Sequence, residues 1–345
     1  MVLGTLASLS MIFSVNAGEL GVSGSAKATY VIVNGANFDN GIGVTNELNF
    51  TASGEMDNGY AWSYSMELDP DATDGSALND DTQISIKLND MGTFKICVSE
   101  CGNGKEYAFD QSAYVAMTDT GLDEGITYPI SESSYASLQY HTPELPFGTT
   151  ASIAYGQTPR TMGASGNSKG GATTPGANTA GNSIEAYSVV TKPIDGLTVS
   201  AHYYSVKDYD DGSTIEDQLA EGGSYGITYA AGNLTVGYGK SYNAPEDTST
   251  TRTDGATQVE YHDNTGYSIG YAVNDELSVS YSNESSEASY QTSSTTSYDV
   301  EVDTIQAAYA LGGATLSIAR GDYENISHIN GRDGSDTIIA LSFAF

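Results

Sequence analysis

Cations are scarce in this chain: 12 Lys and Arg stand against 44 Asp and Glu over 345 residues, a formal charge of −32. Nucleic-acid binding needs a basic face, and this balance excludes a strong one. Tryptophan occurs once, cysteine twice and phenylalanine eight times, and only 16% of residues are charged. Long apolar runs are missing too. Beyond the first residues no window offers the roughly 18 consecutive apolar positions of a transmembrane helix. Helical periodicity is hard to find after Gly18. No G-x-S-x-G nucleophile elbow leading from a strand into a helical pattern is found, and H-E-x-x-H and G-x-x-x-x-G-K-[ST] are absent, which removes the commonest signatures of hydrolase, zincin and P-loop chemistry. What is abundant is Gly, at 39 residues, and Tyr, at 25. A disordered acidic chain would lack such aromatics. The length would accommodate two soluble domains, but the composition reads as a Tyr-, Gly-, Ser- and Thr-rich β protein that tolerates a large negative surface.

Residues 1–17, MVLGTLASLSMIFSVNA, are apolar and end in Val15 and Ala17, spaced like the −3 and −1 positions of a signal-peptidase site. The expectation is a cleaved signal peptide over 1–17 and a single domain over 18–345. No Lys or Arg precedes the apolar core, a departure from the signal pattern that leaves the true start open. Export without a membrane helix is compatible with a closed β-barrel, which satisfies all its backbone groups in lipid.

Period-two alternation recurs along the rest of the chain. Ile84, Ile86 and Leu88 alternate with Ser85 and Lys87; Phe94, Ile96 and Val98 alternate with Lys95 and Cys97. The same pattern returns at Leu197–Tyr204, Ser224–Tyr229 and Glu276–Tyr281, and the chain closes on Ile339, Leu341, Phe343 and Phe345. Between such runs, short turns such as Asp57-Asn58-Gly59 and Leu311-Gly312-Gly313 interleave with long polar loops. Among the loops are Asn34–Gly43, Glu100–Ser131 and Glu284–Tyr298. Seven short turns and eight long loops predict sixteen strands. An even strand count with short links at one end and long loops at the other is the outer-membrane barrel pattern. A soluble β-sandwich also alternates, but its inner face is built from Leu, Ile, Val and Phe. Here the apolar face is heavy in Tyr at strand ends, as in the girdles of a membrane barrel. No short fixed repeat suggests a β-solenoid. The predicted fold is therefore all-β: a sixteen-stranded antiparallel transmembrane barrel.

On these residues the chain resembles the general diffusion porins of Gram-negative outer membranes, of alphaproteobacterial type. The start Gly18-Glu19-Leu20-Gly21-Val22-Ser23-Gly24, the turn Met56-Asp57-Asn58-Gly59-Tyr60, the long third loop and the terminal alternation carry the likeness. The resemblance implies a homotrimer in the outer membrane, in contact with lipid and lipopolysaccharide. It implies that Phe343 and Phe345 form the signal read by the barrel-assembly machinery. It also implies an inward-folded third loop, residues 100–131, that constricts the pore with Glu106, Asp110, Asp119, Asp123 and Glu124. Basic residues on the facing wall are expected at Lys27, Lys87 and Lys95, which share the Ser/Thr parity of their strands. A lysine facing lipid at mid-depth would cost about 2–4 kcal/mol. Lys240 and Arg320 share parity with lipid-facing residues and are expected at the outer rim. Glu47, Glu67 and Glu276 are read as lumen-facing; Tyr187 and Tyr204 share that parity but form no aromatic track.

Cys97 and Cys101, at the base of the third loop, are a disulfide candidate, since disulfides persist outside the cytoplasm. A zinc site is disfavoured because two thiolates leave tetrahedral zinc half-coordinated. Asp69, Asp71 and Asp74 start like an EF-hand, but the Gly falls one place late and no Glu fills the twelfth position. A weak loop-bound calcium site there stands beside the plain reading of solvated charges, and no cofactor is required. The expected function is passive diffusion of small hydrophilic solutes and ions with a weak cation preference, and no enzymatic activity. The alternatives are a porin selective for a sugar or small metabolite, and a secreted or surface β protein of adhesive or structural role.

Overall fold

The computed structural model describes residues 20–35, 40–68, 80–98, 137–157, 183–207, 221–244, 259–291 and 296–345. Sixteen strands lie among them. These are β1 (Leu20–Gly35), β2 (Gly41–Glu55), β3 (Ala61–Leu68), β4 (Asp80–Lys87), β5 (Thr93–Val98) and β6 (Ser137–His141). They continue as β7 (Thr150–Gln157), β8 (Ser183–Thr191), β9 (Leu197–Lys207), β10 (Glu221–Ala231) and β11 (Leu234–Ala244). The last are β12 (Val259–Ala272), β13 (Leu277–Tyr290), β14 (Val300–Ala310), β15 (Ala314–Glu324) and β16 (Gly334–Ala344). Each strand pairs antiparallel with its sequence neighbours, and β16 returns to β1 to close the barrel. Closure leaves no edge strand, so every ladder group can be paired within the sheet. No helix among the described residues is long and apolar enough to cross a membrane.

The register carries one parity around the whole cylinder. Tyr187 pairs with Tyr203, Ala201 with Tyr225, Ile227 with Tyr238, and Val236 with Ile269. On this outward face stand exposed large side chains such as Ile153, Ile227, Tyr267, Ile305 and Ile318. The opposite parity carries small polar residues, among them Ser224, Ser268, Ser280 and Ser317, which are buried. Greasy residues outward and hydroxyls inward invert a soluble fold, and a lipid exterior is the solvent that makes the inversion favourable.

Short connections turn tightly. In the turn between β12 and β13, Asn274 Oδ1 accepts the main-chain N–H groups of Glu276 at 2.9 Å and Leu277 at 2.8 Å, an Asx turn. Gly92, between β4 and β5, holds φ at 96°. A Cβ there would run into the carbonyl oxygen of His141, so both the dihedral and the space require glycine. Two boundaries differ from the sequence reading. β1 and β2 extend to Gly35 and from Gly41, shortening the loop read as Asn34–Gly43. β13 runs on to Tyr290, because Ser282, Glu284 and Ser286 continue the inward alternation although the stretch is too polar to read as a strand. Residues 1–17, all of 100–131 including Cys101, and Asp69, Asp71 and Asp74 lie outside the described residues.

Candidate pore lining

The inner wall has two unlike sectors. On β7–β15 most inward positions are buried, and many are small, such as Ser152, Ala186, Ser224, Gly237, Gly266, Ser282 and Ala319, with larger polar groups such as His202, Glu284 and Gln306 among them. Two apolar clusters interrupt this wall. One joins Val300, Val302, Ala308, Ala319, Tyr323, Ile326 and Ile338; the other joins Ala154, Ile184, Ala186, Tyr204 and Val206. On β1–β5, by contrast, inward groups other than Cys97 stay partly or fully exposed, including Thr45, Glu47, Asn49, Ser63, Ser65, Gln83, Ser85 and Thr93.

The three candidate lysines belong to the second sector. Lys27 pairs with Thr45 and Ser342, Lys95 with Ser85 and Gln139, and Lys87 with Ala61 and Thr93, all on the inward parity. Lys87 is the last residue of β4, beside the short turn, and Lys95 stands diagonal to it across the β4–β5 ladder. Among the described residues, the ion pairs Lys240–Asp263 and Arg320–Asp322 stand on the outward face, and none involves Lys27, Lys87 or Lys95. Glu47 and Glu67 share the inward sector, with Ser25 Oγ 3.5 Å from Glu47. The wall thus offers charges of both signs to solvent along one arc. Cys97, buried, lies on the same parity, opposite Gln83 and Ser137.

Two parity readings are corrected. Tyr187 faces outward, 42% exposed and paired with Tyr203, because the true β8 register places Ala186 and Ser188 inside; Tyr204 does face inward and is buried. Glu276 lies in the β12–β13 turn, exposed, because the alternation of β13 begins only at Leu277. Lys240 and Arg320 are outward, near the long-loop ends of β11 and β15. The outer rim is marked by phenols bonded to carboxylates. Glu221 accepts hydrogen bonds from Tyr203 and Tyr242, each at 3.1 Å, and Tyr281 donates to Asp303 at 2.5 Å. Near the short turns, Tyr229, Tyr271, Tyr309 and Phe343 form the second outward aromatic belt.

Sequence reasoning missed Glu284 and Asp336, both buried on the inward parity. Glu284 opens the polar stretch Glu284–Tyr298, which reads as a loop, and Asp336 sits next to loop residues, so neither carries an alternation signal. It also missed His262 and His328, whose rings stack 5.3 Å apart. Their meeting joins β12 to the β15–β16 connection, a contact with no local signature. Burial pushes the His328 imidazole below its ordinary range, against the hydrogen bond to the Tyr298 carbonyl.

A family model described as Gram-negative porin matches residues 2–345. The chain belongs to the Gram-negative porin family. It is accordingly an outer-membrane diffusion channel and not an enzyme. Solved structures share the fold at low sequence identity. A refined porin is 16% identical at a TM-score of 0.64, with 95% of this chain and 100% of that chain covered. OmpF of Salmonella typhi in complex with daunomycin is 15% identical at a TM-score of 0.67, with 95% and 98% covered. An anion-selective porin from Comamonas acidovorans is 13% identical at 0.63, with 95% and 100% covered. Among curated proteins nothing matches. With the family established, the outward Tyr belts match the aromatic girdles of a membrane barrel, and the exposed β1–β5 arc is the candidate pore lining.

Proposed function

We propose that this porin is a passive, water-filled channel for small hydrophilic solutes and ions with a weak preference for cations. The observation that carries the reading is the exposed hydrophilic arc of β1–β5 inside a closed sixteen-stranded barrel. A barrel of this size leaves an aqueous lumen, and charge along the narrow part sorts ions. The net charge of −32 favours cations, while Lys27, Lys87 and Lys95 temper that preference from the wall. The acidic third-loop residues Glu106, Asp110, Asp119, Asp123 and Glu124 supply the opposing side of the constriction in this reading. The inward tyrosines Tyr204 and Tyr323 are both buried, which gives no support to a sugar-stacking track.

The working form is a homotrimer, a reading supported by the trimer form of OmpT from Vibrio cholerae, which shares the fold at 14% identity and a TM-score of 0.62. Export through the residue 1–17 leader, assembly guided by Phe345, and lipopolysaccharide contacts at the Lys240 and Arg320 rim complete it. Planar-bilayer recording of the refolded protein under a salt gradient is the test. Conductance steps in groups of three with a reversal potential of cation sign are expected. Folded protein that opens no channels would sink the proposal, and a reversal potential of anion sign would sink its cation preference.

A further inference from the structure

The β15–β16 connection turns back into the barrel. Ile326, in the 3-10 turn Ile326–His328, is 1% exposed and packs with Val300, Val302, Tyr323 and Ile338. Two residues on, the His328 ring reaches past β13 and β14 to stack on His262 of β12, with centroids 5.3 Å apart and planes inclined by 30°. Both histidines are more than nine-tenths buried, at 9% and 8% exposure.

Hydrogen bonding fixes the chemistry of this pair. His328 Nδ1 lies 3.0 Å from the Tyr298 carbonyl oxygen and can only donate to it. That sets the tautomer and leaves Nε2 as a bare lone pair. Nε2 of His328 and Nδ1 of His262 have no hydrogen-bond partner. A buried nitrogen without a partner is costly and calls for an explanation. A ring nitrogen anchored to a backbone carbonyl, with the other nitrogen free, is the arrangement of a metal-ligating histidine. The spacing fits as well. Two imidazoles sharing a tetrahedral ion through bonds of about 2.1 Å have centroids roughly 5 Å apart. His328 is also held at φ 58°, directly after Ser327 and three residues after Asn325, both likewise left-handed. Asn325 braces this bend: its Nδ2 donates to the Asp299 carbonyl at 2.9 Å, and its Oδ1 accepts from Gly331 N–H at 3.0 Å.

We propose that His262 and His328 form a two-imidazole site for a borderline divalent transition metal, Cu2+, Ni2+ or Zn2+, on the inner wall at the long-loop end of the barrel. Among the described residues no group of three His, Cys, Asp or Glu surrounds a common point. The other positions therefore fall to water or to the neighbouring oxygens of Asn264, two residues along the same face, and Ser286, paired with it. Imidazole donors select these ions over Mg2+ and Ca2+. Occupancy would pin the β15–β16 connection to β12, whatever solutes the pore carries.

The test uses untagged, folded, full-length protein at about pH 8, where imidazoles are neutral. It is titrated with CuCl2, NiCl2 or ZnCl2 over a large excess of MgCl2 that saturates the acidic loops. One ion bound per chain is expected, with Cu2+ the tightest. His262→Gln and His328→Gln should each weaken binding at least tenfold, with His202→Gln unchanged. If a variant fails to fold, the Cu2+ electron paramagnetic resonance spectrum of the wild type decides, and hyperfine coupling to two imidazole nitrogens is expected. Binding abolished by Mg2+, binding undiminished in both variants, or a spectrum without imidazole nitrogen would overturn the site.

Discussion

Phe345 and Gly24 close the barrel through a reciprocal pair of main-chain hydrogen bonds. Gly24 N–H donates to the Phe345 carbonyl at 2.8 Å, and Phe345 N–H donates to the Gly24 carbonyl at 3.0 Å. The last residue of the chain is thus tied to the fifth residue of β1, where the Phe345 ring lies against the glycine. A Cβ on Gly24 would come to 2.7 Å from the Glu47 carbonyl oxygen, 2.8 Å from the Phe345 ring and 2.9 Å from Leu48.

Gly24→Val should therefore strain the seam at which β1 meets β16. Overpacking of this kind costs about 1–3 kcal/mol, and the backbone oxygen of Glu47 cannot move aside without disturbing the β1–β2 ladder. The expected result is a lower temperature for loss of the folded band in heat-modifiable gel migration. A band as heat-resistant as wild type would show that the seam tolerates a side chain.

Neutralising the inner wall should shift ion preference in a defined direction. Lys27→Gln, Lys87→Gln and Lys95→Gln combined remove three cations from the exposed arc and should move the bilayer reversal potential further toward cations. Asp110→Asn, Asp119→Asn and Asp123→Asn combined should move it toward anions. Opposite movements support a field across the pore; no movement in the loop variant would mean that this loop does not govern selectivity.

Outward charges should matter far less to stability. Arg320 binds both carboxylate oxygens of Asp322, at 2.6 and 3.2 Å, yet their side chains are 53% and 58% exposed. Exposed pairs contribute about 0–1 kcal/mol. Asp322→Asn should leave heat resistance and single-channel conductance close to wild type.

Cys97 and Cys101 should be joined in protein exported to an oxidising compartment. Alkylation without prior reduction, followed by mass spectrometry, should label neither residue, and reduction should expose both. Labelling of either thiol in unreduced protein would refute the staple. Its loss by Cys101→Ser should leave the β5 strand in place, since Cys97 is buried within the β4–β5–β6 ladder.

Most of the barrel was legible along the chain because its rules are local. In a sheet with lipid on one side and the lumen on the other, residue parity alone decides which solvent a side chain meets. Alternation at Ile84–Val98 and Leu197–Tyr204, turn chemistry at Asn58, Gly92 and Asn274, and the Phe345 terminus needed no tertiary information. Parity likewise put Lys27, Lys87 and Lys95 inside and Lys240 and Arg320 outside. It failed where the strand was itself polar, as at Glu284, or where a turn was counted into a strand, as at Glu276.

What only the tertiary structure decided is what happens across the lumen, between residues far apart in sequence. The division of the inner wall into an exposed β1–β5 arc and a buried sector on β7–β15 is not written in the alternation, which is the same in both sets of strands. The stacking of His328 on His262 depends on a connection folding inward over two intervening strands. Alternation encodes the face of a strand and turn residues encode where it ends. Neither encodes contacts through the barrel interior, which are set by closure, shear and the packing of small side chains.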